Sequence, residues 1–472
     1  MSDTIAAIAT GGVVSAIGII RISGSNALTA ADNIFHAACG IKVNDFENRR
    51  MYYGDLIDTC SRPGDDTRTF GGDGSPDTLV DLCLCVVMRG PDSYTGEDTV
   101  EFHCHGSPVV LSEVLRILFS SGVRQALPGE FTKRAFLNGR MDLTQAEAVI
   151  DLIEAETPGA ALNAAGQLRG TISLKMGSVY DRLLDIMAHF HAVIDYPDEE
   201  IDDFKMQNYI TVLHEINNDF RQMLETHERG KVLRYGVPAV IIGRPNTGKS
   251  SLFNALLGYE RTIVTEISGT TRDTIEEKLL IGKVLLRLTD TAGLRSTGDT
   301  IEKLGVERTF AALSSAGLVI LVLDGSEPLK HEDHDILRSI PPGIPKIAIV
   351  NKSDLPAMLE INELEKYDIR CCSVSALSGE GLDSLEAEIR KMFPEFNSSP
   401  SGELITNTRQ AEAITKAAAN INCAITSLTA SVTPDAMLTD IEAALTTIGE
   451  ITGKTMCEDI VTRIFERFCI GK

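Results

Sequence analysis

The stretch Gly243–Ser250, GRPNTGKS, constrains what this chain can fold into more than any other part of it. It follows the apolar run AVIIG and leads into SSLFNALLG, so a strand must end and a helix must begin within a few residues. In that setting the pattern G-x-x-x-x-G-K-[ST] describes a phosphate-binding loop. The glycines let backbone N–H groups face phosphate oxygens, the lysine adds a point charge, and the hydroxyl after it ligates Mg²⁺. Gly243, Asn246, Thr247, Gly248, Lys249, Ser250 and Ser251 are therefore candidate nucleotide contacts. The plainer alternative, a glycine turn ahead of an ordinary helix, does not explain the lysine and serine. A similar run, TGKT (Thr452–Thr455), has Ile448 where the first glycine belongs and reads as helix surface.

From Arg234 to about Phe393, apolar runs (VPAVIIG, LVILVLDG, PKIAIVN) alternate with helical stretches, as in a doubly wound parallel sheet. NKSD (Asn351, Lys352, Asp354) closes one of those strands. An ionised Asp354 can only accept hydrogen bonds. Guanine offers N1–H and an amino group on one edge, where adenine presents an acceptor, and such a mismatch is worth roughly 10⁴-fold in discrimination. SALSG follows the next strand, and the backbone of Ser375 and Ala376 would close over the base. DTAG (Asp290, Thr291, Ala292, Gly293) and GTTRD, containing Thr270 and Thr271, complete the set. Thr271 is the natural second Mg²⁺ ligand, Asp290 would hold the ion through a water, and the ligand expected is GTP.

After Gly293 comes Leu294, where Ras-type enzymes use a glutamine to orient the attacking water. Leucine has neither donor nor acceptor. Something else must neutralise transition-state charge, a task worth roughly 10³–10⁵ in rate when an arginine finger performs it. A fixed monovalent cation can occupy the same place, with Asn246 offering an amide oxygen and the backbone around Thr265–Thr270 completing a cage. Glu302 can orient water through a second water. Its alternative is an acidic residue at a helix N-terminus, which the residue by itself favours.

Elsewhere, residues 1–140 mix short strands (AIGIIRIS, LCLCVVM, TVEFHCH) with helix over Val109–Leu118, an α+β texture. SRPGDDTRTFGGDGSPD reads as a surface loop. Residues 141–232 turn helical, and the run Asp195–Phe204, with six carboxylates, reads as a solvated loop in preference to a metal site. After NSSPSG, a polar linker, helix returns, with Leu438, Ile441, Leu445 and Ile448 on one face. The expected organisation is multidomain, α/β with α+β: residues 1–140, a helical domain from 141–232 and 395–472, and an α/β unit, 233–394, inserted into it. A net charge of −23 argues against broad nucleic-acid binding and leaves any RNA to a local basic patch or a partner. Ten scattered cysteines without a C-x-x-C pair suit reduced thiols, and no basic n-region or bilayer-length apolar run is present, so a cytoplasmic protein is expected.

Together GRPNTGKSSLFNALLG, TEISGTTRD, DTAGLR with IEKLGVER, NKSD and the terminal FCIGK resemble the bacterial tRNA-modification GTPase family MnmE, also called TrmE. GIIRISG, SYTGEDTVEFHCHG and PGEFTKRAFLNGRMDLTQAEAV extend the likeness over the whole length, and Era- and Der-type ribosome-assembly GTPases, the alternative reading, lack those stretches. The resemblance implies G domains that dimerise across their nucleotide faces, with K⁺ on Asn246, Thr265, Ile267 and Thr270, and Mg²⁺ on Ser250 and Thr271. It implies that Glu302 orients the water, reversing the preference above. It also implies an N-terminal domain that dimerises and binds a tetrahydrofolate derivative, 5-formyl or 5,10-methylene, through Arg21, Glu101, Arg140 and Lys472. Arg140 stands where some relatives carry lysine, which keeps the charge but alters reach. Cys469 is a candidate functional thiol, the alternative being a small buried apolar residue. The implied partner is a flavoprotein, MnmG (GidA), carrying FAD and using NADH in a heterotetramer-type complex. The implied reaction adds an aminomethyl-type group at C5 of the wobble uridine (U34) of certain tRNAs.

Overall fold

Between Ile17 and Ile22 of the strand Ser15–Ser23 every second residue faces a core: Gly18, Ile20 and Ile22 are buried, while Ile17 is exposed and Ile19 and Arg21 are half-buried. A strand with a period of two and one covered face follows. The structure, a computed structural model, describes residues 3–58, 78–195, 203–259, 277–288, 313, 316–394, 402–430, 434–456, 458–466 and 468–471. The chain divides into two compact units, one of residues 1–150, 173–192 and 438–472, the other of residues 151–172 and 193–437.

The first unit is built on a seven-stranded sheet of β1 (Ile5–Ile8), β2 (Ser15–Ser23), β3 (Phe35–Ala37), β4 (Met51–Asp58), β5 (Thr78–Met88), β6 (Thr99–Gly106) and β7 (Arg124–Gln125). Their order is β3-β4-β5-β6-β2-β1-β7, antiparallel except for the β1–β7 pair. α1 (Ala27–Asp32) and α2 (Pro108–Ser120) close one face over Ile20, Ile22, Phe102, Leu111 and Val114. On the other face Met51, Tyr53, Leu82 and Leu84 are exposed. α3 (Glu130–Leu137) is followed by α4 (Leu143–Ile153), and a later helix returning to this unit packs Val461 and Phe465 on Leu143 and Ala146.

α5 (Pro158–Leu168), α6 (Thr171–Asp195), α7 (Asp203–Glu225) and α8 (His227–Tyr235) come next. The second sheet then contains β8 (Val237–Ile242), β9 (Glu277–Ile281), β10 (Val284–Leu288), β11 (Leu318–Asp324), β12 (Lys346–Asn351) and β13 (Arg370–Ser373). Its order is β13-β12-β11-β8-β10-β9, parallel except for edge strand β9. All of LVILVLD in β11 is buried because helices cover both faces. Leu318, Ile320 and Val322 join one core; Val319, Leu321 and Leu323 join the other. The helices of this α/β part include α9 (Lys249–Tyr259), α10 (His331–Ser339) and α11 (Leu382–Met392). The chain order reverses on either side of β8, so its carboxyl end is the switch point where such sheets bind ligands.

α12 (Thr408–Thr429), α13 (Pro434–Thr452) and α14 (Glu458–Phe465) end the chain. Leu438, Ile441, Leu445 and Ile448 of α13 are buried, as their spacing requires. The TGKT run marks the end of α13, where Gly453 at φ 88° lies against Phe136. The linker residues 395–401, the glycine-rich run 61–77 and most of the acidic run 195–204 lie outside the described residues. Past the linker the chain is held closely: Gln167 Nε2 and Asn163 Nδ2 donate to the Leu404 carbonyl at 2.7 and 3.2 Å, and Leu404 N donates to Asn163 Oδ1 at 3.3 Å.

Asn163 is about 1% exposed, so Asn163→Ala leaves the Leu404 amide without its acceptor. The expected cost is about 1–3 kcal/mol. A chemical-denaturation midpoint equal to that of the parent would show that this docking contributes nothing.

Candidate nucleotide-binding site

The carboxyl end of β8 turns into α9 through the loop Gly243–Gly248. Gly243 stands at φ 150° and Gly248 at φ 92°. A Cβ on Gly243 would sit 2.3 Å from the Val322 carbonyl oxygen, and one on Gly248 2.1 Å from Asn351 Nδ2. Both positions exclude a side chain, and this is what draws the loop backbone close to its neighbours. Asn246, with an exposed side chain, holds φ 66°, a left-handed conformation that asparagine tolerates. Thr247 Oγ1 donates to the Arg244 carbonyl at 3.0 Å. Lys249 Nζ donates to the carbonyls of Gly243 and Arg244 at 2.8 and 2.6 Å, and burial pushes its pKa down. Anionic oxygens beside this ammonium would offset the desolvation, and a helix N-terminus such as that of α9 favours negative charge. Ser250 and Ser251 are exposed in the first turn of α9, and the loop fits a polyphosphate.

Three further loops converge here. Asn351, about 2% exposed at the end of β12, donates from Nδ2 to the Thr247 carbonyl at 2.9 Å and accepts at Oδ1 from Ala376 N at 3.0 Å. One amide thereby ties the phosphate loop to the segment Ser375–Gly379. Ser375 Oγ donates to Asp354 Oδ1 at 2.6 Å, leaving Asp354 exposed and ready to accept from a base edge. Lys352, at φ 64°, donates to Asp324 at the end of β11. Burial alone would raise the Asp324 pKa, but bonds from Lys352 and Ser326 hold it below the usual carboxylate range. Asp324 was missed by sequence reasoning. Its only signal is its place at the carboxyl end of a buried strand.

In the first unit, Arg21 and Glu101 face each other across β2 and β6, with Arg21 Nε donating to Glu101 Oε1 at 2.7 Å. The Arg21 guanidinium lies over the rings of Tyr94 and Phe131 at 5.3 and 5.7 Å. His103 Nε2, buried and without a hydrogen bond, is 3.5 Å from Glu101 Oε2. Arg140, exposed, reaches Asp92 at 3.5 Å, so the segment Asp92–Tyr94 bridges Arg140 to Arg21. An orphaned polar atom beside paired charges fits a heteroaromatic ring with an anionic tail. Tyr94 and His103 are additions that spacing could not reveal. Cys469 is exposed, not buried, and its carbonyl accepts from Gly129 N at 3.2 Å. Gly471 packs so closely on β1 that a Cβ would lie 2.1 Å from the Ile8 carbonyl oxygen.

Thr265, Ile267, Thr270, Thr271, Asp290, Thr291, Ala292, Gly293, Leu294, Glu302 and Lys472 lie outside the described residues.

A Ras-like strand order with a phosphate loop at the switch point and NKSD at the next strand end but one defines a P-loop GTPase. A family model described as MnmE helical domain matches residues 143–469, and one described as GTP-binding protein TrmE N-terminus matches residues 4–140. The tRNA modification GTPase MnmE of Clostridioides difficile (strain 630) is 40% identical over 475 residues, covering 100% of both chains. That of Symbiobacterium thermophilum is 42% identical over 472 residues, covering 100% of this chain and 99% of its own. The G domain of the T. maritima FeoB iron transporter matches 34% of this chain at 27% identity and a TM-score of 0.25, too loosely to add to the assignment. This chain belongs to the tRNA modification GTPase MnmE family.

Asn351→Ala would leave the Thr247 carbonyl and the Ala376 amide unpaired at about 1–3 kcal/mol each. Affinity for a fluorescent guanine nucleotide should fall roughly 10–100-fold. An unchanged Kd would mean that the two loops hold their shape without the bridge.

Proposed function

We propose that this GTPase is activated by K⁺ and, with a flavoprotein partner, modifies C5 of the wobble uridine of certain tRNAs using a tetrahydrofolate one-carbon donor. The observation that carries the K⁺ reading is the pairing of Leu294 with Asn246. The first removes the polar group that would orient water, and the second presents an exposed amide from a left-handed position in the phosphate loop. In this reading Asn246, Thr265, Ile267 and Thr270 hold K⁺, Ser250 and Thr271 hold Mg²⁺, and Glu302 orients the water. Gly243, Asn246, Thr247, Gly248, Lys249, Ser250, Ser251, Asp290–Gly293, Asn351, Lys352, Asp354, Ser375 and Ala376 hold GTP. K⁺ supplies the positive charge an arginine finger supplies elsewhere. Lys249 bears on the β/γ oxygens and Asn351 keeps the loop in register.

The folate reading rests on Arg21, Glu101 and Arg140 around Tyr94, with Lys472 at the terminus: the carboxylate suits a pterin edge and the cations suit a glutamyl tail. The tRNA substrate is proposed from the relatives that match over their full length, which are tRNA modification GTPases. Homodimerisation is supported by the exposed apolar sheet face of Met51, Tyr53, Leu82 and Leu84. MnmG, with FAD and NADH, is the proposed partner. No helix among the described residues is long and apolar enough to cross a membrane, and a cytoplasmic site of action is part of the proposal. The proposed domain limits are 1–140, 141–232, 233–394 and 395–472.

The test is mass spectrometry of tRNA nucleosides from cells lacking this protein. The C5 modification should vanish, return with the parent chain and stay absent with Arg21→Ala. Modification that persists in the deletion would sink the assignment.

GTP turnover should rise steeply with KCl and hardly at all with NaCl at matched ionic strength. Equal rates in the two salts would remove the monovalent-cation mechanism.

A further inference from the structure

The phosphate loop has a second, buried anchor, formed by a variable position of its motif and a residue far from it in the chain. The Arg244 side chain runs from the loop to the start of α10, where its Nε stands 2.8 Å from both Asp333 Oδ1 and Asp333 Oδ2. Arg244 is about 8% exposed and Asp333 about 1%. Asp333 is itself pinned, because its Oδ2 accepts from Lys330 N at 3.0 Å where α10 begins. Glu327 Oε2 lies 3.4 Å from Arg244 Nη2 and completes the charge set around the guanidinium. The backbone carbonyl of Arg244 accepts from both Lys249 Nζ and Thr247 Oγ1. Arg244 therefore links an immobilised carboxylate on α10 to the carbonyl that orients the loop's lysine.

We propose that Asp333 and Arg244 are a positioning pair that holds the phosphate loop, and through it Lys249, in the shape that receives the nucleotide's β-phosphate. Neither residue touches the nucleotide. The pair acts through the Arg244 carbonyl, and because both groups are buried and charged the geometry tolerates little drift. A motif search treats position 244 as variable, and Asp333 lies 89 residues further on, so the pair exists only in the folded chain. The proposal rests on reading Gly243–Ser250 as the phosphate loop, and Lys249→Ala serves as the control for that reading.

The experiment uses the full chain and GDP. Asp333→Asn keeps volume but removes the charge and one acceptor oxygen. Arg244→Met with Asp333→Leu replaces the buried pair by apolar groups, leaving no unpaired charge to unfold the unit. In both variants the Kd for GDP, measured well below the melting temperature, should rise about tenfold. The ³¹P resonance of the β-phosphate of bound GDP should move, which a loss of stability alone would not cause. A wild-type Kd and an unmoved resonance in either folded variant overturn the proposal. If Lys249→Ala also binds GDP normally, the phosphate-loop reading itself falls; if it alone binds poorly, only the positioning pair does.

Discussion

The side-chain amide of Asn351 is the interaction on which the rest of the nucleotide site depends. It is buried, and its two ends are occupied by the Thr247 carbonyl and the Ala376 amide. Phosphate loop and base-side segment, contributed by distant parts of the chain, thus share one rigid group. The close approach is possible only because Gly248 carries no side chain where Asn351 passes. Gly243 gives the matching clearance against β11. A charged network surrounds this neutral bridge: Lys352 with Asp324 on the base side, Arg244 with Asp333 on the phosphate side. Each pair sets backbone geometry at a strand end or helix start, where loops would otherwise be free to adjust.

The first unit is organised on the same principle with different parts. Antiparallel register sets Arg21 opposite Glu101 and leaves His103 two residues further along the same strand face. The aromatic faces of Tyr94 and Phe131 hold the guanidinium from the side. Two charges and an unsatisfied ring nitrogen are thus concentrated beside an apolar sheet face. Such a group is costly to bury without a partner and suits a polar, planar ligand.

Much of this was legible in the chain itself. Alternation along AIGIIRIS, the fully apolar LVILVLDG and the helical spacing of Leu438, Ile441, Leu445 and Ile448 each correspond to the element their period implies. NKSD and GRPNTGKS lie at strand ends because the flanking apolar runs leave no other place for them. Less legible were partners separated by long stretches of chain. Asp333 looks like any acid in the first turn of a surface helix, and His103 like any residue of an alternating strand. The isolated sequence also left Cys469 open between a functional thiol and a buried filler, and the exposed thiol answers only the burial question.

The sequence by itself determined the element types, the guanine-nucleotide class and the order of the loops, because periodicity, glycine placement and donor–acceptor chemistry are local properties. Only the tertiary structure decided which side chains support those loops. Asn351 meeting Thr247, Arg244 meeting Asp333 and Arg21 lying over Tyr94 all depend on sheet order and strand register. Neighbours brought together that way are chosen by packing across the whole core, and no short window of sequence contains the information that selects them.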